Sequence, residues 1–273
     1  MSASLLQADG LGLDVPDHNA PRGKARPAQR TLLRDVGFAL RRGGALGVIG
    51  ESGSGKSTLA RALTLLMPPQ RGRIVFDGQD VTALTGPALT AYRAQVQLVF
   101  QDPMSALNPR RRVGSSIVRP LQALGRLGGR RPEALAAELL DRVGLAPALA
   151  NRWPHELSGG QRQRVNIARA LALAPRVLIA DEVTSGLDVS AQARIVALLE
   201  SLRRDTGLSL IFISHDLSLV RSLCDDLLIL RAGEVVEAAP ADQVFAAPAH
   251  DYTRALLAAI ALPDPDSTWI ERR

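Results

Sequence analysis

Gly50-Glu51-Ser52-Gly53-Ser54-Gly55-Lys56-Ser57, followed by Thr58, decides the fold, because of what stands on either side of it. The run before it, 45–49, is short and wholly apolar and ends at Gly50, as a buried parallel strand does. The run after it, 57–66, reads as a helix that Pro68 and Pro69 stop. Strand, glycine-rich turn and helix in that order match G-x-x-x-x-G-K-[ST], a loop that cradles phosphate. Its glycines let successive backbone N–H groups turn inward around phosphate oxygens, and the helix start adds a positive dipole end. Lys56 is placed to reach the β- and γ-phosphates of ATP, and the Ser57 hydroxyl to ligate Mg²⁺. Gly50 through Thr58 are therefore the expected ATP-binding residues. A merely flexible Gly/Ser turn is the competing reading, and the flanking strand and helix weigh against it.

Arg176-Val177-Leu178-Ile179-Ala180-Asp181-Glu182 completes that site. Its apolar strand leaves Asp181 at the carboxyl end, the edge at which ligands of such sheets bind. Asp181 can hold Mg²⁺, directly or through water, and Glu182 can orient or deprotonate the attacking water. Alone, an Asp-Glu pair after a strand is an ordinary helix-start charge. The phosphate loop upstream reverses those odds.

Working outward, residues 5–15 and 36–42 read as short strands, with 15–30, rich in Pro, Gly and Arg, looping out between them. Strands are expected at 73–76 and 96–100, then at 177–180, 208–213 and 227–230 with helices between. From Pro103 to Asn151 the pattern is helical. Pro132 stands at a helix start, and Leu135, Leu139, Leu140 and Val143 form one apolar stripe. Another helix follows Ser158, to about Leu173. The alternation of strand and helix predicts an α/β fold with a mostly parallel sheet. No internal repeat or heptad run is present, and 263–266 (Pro-Asp-Pro-Asp) reads as a loose tail.

At 273 residues the chain can bury a substantial core. Aromatics make up only 3%, so Leu, Val, Ile and Ala must fill it. No apolar run approaches the roughly 18 residues of a membrane span, and the first residues lack the pattern of a secretory signal. Cys224, the single cysteine, rules out an internal disulfide and a cysteine-based metal site. These features fit the cytoplasm. The net charge of +6 comes from scattered arginines and reads as a compositional preference rather than a nucleic-acid surface. Only Lys24 and Lys56 are lysines, which singles out Lys56.

Leu157-Ser158-Gly159-Gly160-Gln161-Arg162-Gln163-Arg164 narrows the phosphate-loop class. Ser158 and Gly160 stand at a helix start, so a hydroxyl, a backbone N–H and a dipole end face an anion. The segment resembles the signature motif of ABC-type ATPases. That resemblance implies a P-loop ATPase with a mostly parallel core sheet, an antiparallel β subdomain and an α-helical subdomain. It implies an ATP-binding domain over 5–249, its helical part about 103–173, and a C-terminal extension at 250–273.

The resemblance further implies that Ser158, Gly159, Gly160 and Gln161 meet the γ-phosphate held by a second ATP-binding subunit, identical or related. Gln101, in Val99-Phe100-Gln101-Asp102-Pro103, matches the family glutamine that contacts Mg²⁺ or the water. Asp188, in Ser185-Gly186-Leu187-Asp188, matches the loop that communicates across the dimer. His215, in Phe212-Ile213-Ser214-His215-Asp216, matches the histidine that touches the γ-phosphate. Gln101, Glu182 and His215 are thus the expected catalytic set, and Ser57, Gln101 and Asp181 the expected Mg²⁺ set. Two permease subunits, one of whose helices a groove within 103–151 receives, and an extracytoplasmic solute-binding protein are the implied partners. The implied location is the cytoplasmic face of the cell membrane.

Residues 99–110 (VFQDPMSALNPR) and 250–260 (HDYTRALLAAI) look like the subfamily that powers uptake of oligopeptides, dipeptides and nickel. Soluble relatives acting on nucleic acid or ribosomes are the alternative; they usually carry tandem cassettes, a long coiled coil or cysteine clusters. The chain departs from the family in three places. Val15 stands where an aromatic stacks on adenine, Val183 where proline is common, and Gly186 where alanine is common.

Overall fold

The structure is a computed structural model that describes residues 4–17 and 29–259; the segment read as a loose tail lies outside them. The chain opens with two long strands, β1 (Ser4–Pro16) and β2 (Gln29–Arg41), paired antiparallel out to Pro16 and Gln29. The expectation of a loop over all of 15–30 is corrected here. Thr31, Leu32 and Leu33 suit a pleated surface, and Pro16 is tolerated at a strand end where no amide is needed. Next come β3 (Ala45–Ile49), α1 (Lys56–Leu63), β4 (Arg71–Phe76), β5 (Gln79–Asp80) and α2 (Gly86–Gln95). Strands β2, β1, β4 and β5 make an antiparallel sheet in that order.

Helix α1 ends before its prolines, earlier than the sequence suggests. The Thr64 hydroxyl donates to the carbonyl of Ala60, and Leu65 turns left-handed at φ 56°. The chain continues through β6 (Val96–Val99), α3 (Pro103–Ala106), α4 (Val113–Ala123), α5 (Pro132–Arg142) and α6 (Gly159–Leu171). Between α5 and α6 lie two 3₁₀ turns, Pro147–Asn151 and Pro154–Glu156. Then follow β7 (Val177–Asp181), α7 (Val189–Thr206), β8 (Ser209–Ile213), α8 (Leu217–Leu223), β9 (Asp226–Arg231), β10 (Glu234–Pro240), α9 (Ala241–Ala246) and α10 (Asp251–Ala258).

The second sheet runs β10-β9-β3-β8-β7-β6, parallel throughout except for β10. Alternation along its strands sorts the core in two. Leu46, Val48, Ile179, Ile211, Ile213 and Leu228 pack with α1 and the antiparallel sheet. Ile49, Leu178, Phe212, Leu227 and Ile229 pack with α6, α7 and α8 on the other face. A small satellite core of Val118, Leu121, Leu135 and Ala136 holds α4 to α5. Fully burying each such side chain contributes about 1.5–3 kcal/mol, so both faces are needed to close the sheet. That closure brings the ends of β3 and β7 to one edge.

Candidate functional site

Two close approaches shape the phosphate loop. A Cβ on Gly50 would sit 2.1 Å from the carbonyl oxygen of Leu230, so only glycine lets the loop leave β3 beside β9. Gly55 holds φ 107°, which L side chains avoid, and that turn starts α1. Above them Leu32 of β2 and Gly233 of the β9–β10 turn close in. Gly233 N–H donates to the Ser54 carbonyl at 2.9 Å, and Arg34 N–H to the Gly233 carbonyl at 2.8 Å.

The resulting cavity, about 490 Å³, is lined by Ser52, Gly53, Gly55, Lys56, Ser57, Thr58, Gln101 and Glu182, with Arg30, Thr31, Leu32, Ala232 and Gly233 opposite. Gly50, Glu51 and Ser54 of the expected set brace the loop from behind instead. Glu51 N–H donates to the Tyr252 hydroxyl of α10 at 3.0 Å, and Arg231 lies over the Tyr252 ring at 5.0 Å.

Lys56 is buried, and its ammonium donates to the carbonyls of Gly50 and Glu51 at 2.7 and 2.8 Å. Burial pushes its pKa down, while the charges of Glu182, Asp181 and Glu51 push it back up. Ser57 Oγ donates to Asp181 Oδ1 at 3.2 Å. Asp181 is buried at the end of β7, and burial pushes its pKa up against that hydrogen bond. A hydroxyl and a carboxylate side by side are hard oxygen donors of the kind Mg²⁺ takes.

Glu182, the next residue, holds φ 48°, a left-handed turn rare for a non-glycine residue. Its amide donates to Ile213 O at 2.9 Å, which pins the turn to β8. Its Oε2 accepts from Gln101 Nε2 at 2.7 Å, and His215 Nδ1 lies 3.9 Å from the same oxygen, beyond hydrogen-bond range. The three expected catalytic residues therefore converge on one carboxylate oxygen.

The signature residues lie elsewhere. Ser158 caps α6: its Oγ accepts from Gln161 N–H at 3.3 Å while Gln161 Oε1 accepts from Ser158 N–H at 2.9 Å. Asp188 caps α7, its Oδ1 accepting from Ala191 N–H at 2.8 Å and from Ser190 Oγ at 2.6 Å. A Cβ on Gly160 would come within 3.2 Å of Ala191, so the two helix starts abut. Between them is a separate cavity of about 170 Å³, lined by Ser158, Gly159, Gly160, Gln161 and Asp188 together with Arg164 and Arg194. Ser158 and Lys56 of one chain thus serve different cavities.

The sequence reading missed Arg30, Thr31, Leu32, Gly233 and Tyr252. Gly233 had a signal, the turn Arg231-Ala232-Gly233-Glu234 between two β runs. The others are brought in by tertiary packing alone. Val15 does not line the cavity; its ladder partner Arg30 does.

Residues 33–185 match the ABC transporter family. A probable peptide ABC transporter ATP-binding protein of Sinorhizobium fredii is 45% identical over 271 residues, 99% of this chain and 76% of the relative. The glutathione import ATP-binding protein of Escherichia coli is 49% identical over 233 residues, 85% of this chain; the match covers only 37% of that longer relative. Among solved structures, a dimeric ATP-binding cassette in a post-hydrolysis state with ADP and Pi superposes with TM-score 0.75 at 27% identity, covering 86% of this chain and 98% of that one. A Clostridium perfringens cassette that is part of an ABC transporter complex gives TM-score 0.72 at 27% identity, covering 89% and 91%. With phosphate loop, acidic strand end and signature helix start all in place, the chain belongs to the ABC transporter family, as an ATP-binding, ATP-hydrolysing subunit.

Proposed function

We propose that this chain powers the import of peptides or peptide-like solutes, hydrolysing Mg-ATP held between two ATP-binding subunits. The observation that carries the catalytic part is Glu182 Oε2, gripped by Gln101 at 2.7 Å inside the cavity that Lys56 heads. Glu182 orients the attacking water and takes its proton. Gln101 fixes the carboxylate, and His215 swings the remaining distance to the γ-phosphate. Lys56 exchanges its two carbonyl partners for phosphate oxygens. Mg²⁺, when bound, would supply charge neutralisation at the phosphates, and Ser57 and Asp181 are the side chains that would hold it.

Ser158, Gly159, Gly160 and Gln161 complete the cavity of the opposite subunit, and Asp188 lies at the same contact. The peptide reading is supported by the names of the relatives and by the segments 99–110 and 250–260. Among the described residues no helix is long and apolar enough to cross a membrane. In this reading, which the names of the import relatives support, the chain works from the cytoplasmic face on two permease subunits fed by a solute-binding protein. A groove of about 420 Å³ between α4 and α5, lined in part by Val118, Ala136 and Ala150, lies in the region expected to receive a permease helix. Gln101, just ahead of α3, ties that region to Glu182.

Purification of the chain from membranes with its neighbours tests this. The expected result is co-purified permease subunits and ATP hydrolysis that rises when peptide-loaded binding protein is added to the reconstituted complex. Association with ribosomes or nucleic acid instead, or no response to any peptide, overturns it.

A further inference from the structure

The cavity at the phosphate loop does not stop at the phosphates. The Leu32 carbonyl lies 3.0 Å from where a Cβ on Gly55 would be and 2.6 Å from one on Gly233, so β2 crosses the loop at Leu32. Strand alternation puts Arg30 on the same face of β2, about 7 Å further out. The cavity follows the strand that far, since Arg30 and Thr31 line it. A nucleotide whose phosphates lie under Leu32 therefore sends its nucleoside toward Arg30.

Among the described residues no aromatic side chain lines this cavity, so a flat partner for the base must be of another kind. Three arginines stand on β2. Arg34 pairs with Glu234 at 2.8 Å and Arg41 with Asp226 at 2.8 Å. The exposed Arg30 side chain has no hydrogen bond or ion pair among the described residues. A guanidinium is planar, weakly hydrated and always charged, and it stacks on π faces. We propose that Arg30 is the base-holding residue of this cavity, its guanidinium plane stacking on the purine of the bound nucleotide. This rests on the ATPase reading above and adds the part of the nucleotide that no motif in the chain addresses.

Calorimetric titration of the full chain with ADP and, separately, with inorganic pyrophosphate tests the assignment. Arg30→Ala is expected to weaken ADP about tenfold, the scale of losing a base-stacking partner, and to leave pyrophosphate affinity unchanged. Arg30→Tyr restores ADP affinity because it restores a flat face. Arg30→Lys does not, because it keeps the charge without the plane. Equal losses for ADP and pyrophosphate would make Arg30 a phosphate contact and overturn the proposal. Undiminished ADP binding in Arg30→Ala, or full rescue by Arg30→Lys, overturns it as well. A wild-type chain that binds neither ligand removes the ATPase reading itself, a different failure from any of these.

Discussion

The cavity at the phosphate loop and the smaller one at the start of α6 use the same material, a helix start behind glycines, in opposite electrostatic states. In the first, the charges answer one another. Lys56 has two carbonyl partners and three carboxylates acting on it, and Asp181 and Ser57 are already bonded. In the second, Ser158 and Gln161 satisfy each other, and Asp188 is committed to capping α7. Also lining it are Arg164, which donates to the Gly144 carbonyl at 2.9 Å, and Arg194, whose charge acts on Asp188; the Arg164 pKa is lowered by burial and then by the neighbouring charge of Arg194. The first cavity is self-sufficient in charge; the second keeps a net positive charge, Arg164 and Arg194 against Asp188, which suits an anion. That contrast suits the proposed pairing, in which the second cavity meets the nucleotide of another subunit.

The comparison breaks first at Lys56. Lys56→Ala should weaken ATP binding roughly 100-fold, since it strips the buried cation from the phosphates; calorimetry that finds affinity within a few-fold of wild type defeats the picture of a self-sufficient cavity. Glu182→Gln separates holding from hydrolysis. Turnover should fall at least about 100-fold with ATP affinity nearly unchanged, and a wild-type steady-state rate removes the base assignment.

Ser158→Ala sharpens the contrast between the cavities. It removes a helix cap that contributes about 1 kcal/mol and should lower ATPase activity about tenfold by weakening the closed pair. ATP affinity of the isolated subunit should stay put, and a parallel fall in that affinity would show the two cavities are not separate. The smallest effect belongs to Tyr252→Phe, which takes the hydroxyl acceptor from Glu51 N–H and leaves the ring. One lost hydrogen bond, about 1 kcal/mol, should raise the KM for ATP roughly fivefold with kcat unchanged; a change in kcat alone would place Tyr252 outside the binding step.

Much of this was legible in the chain because the decisive groups are contiguous. Residues 50–58, 176–182 and 157–164 each contain their own strand end or helix start, so spacing alone predicts their local geometry. The parallel sheet was readable for a related reason: β3, β7, β8 and β9 are short apolar runs at α/β spacing. Strand β10 was not, because its burial is only partial and its residues show no clean alternation. Helix α2 escaped notice for want of an apolar stripe; only Tyr92 and Ala94 are buried in it. The extent of β2 was hidden by reading Pro and Gly as loop markers when pairing with β1 fixes where the strand begins. Arg30 and Tyr252 come from opposite ends of the sequence, and no local pattern announces that both end beside the same loop.

The clash that forbids any side chain at position 50 has a consequence for how this site can be moved or copied. The oxygen in the way belongs to Leu230, some 180 positions later in the chain. The bend at the mouth of the nucleotide cavity is thus imposed by a neighbouring strand, and the eight motif residues merely permit it. Grafted onto a foreign scaffold without the equivalent of β9, the same letters would spell the motif and fail to reproduce its curvature.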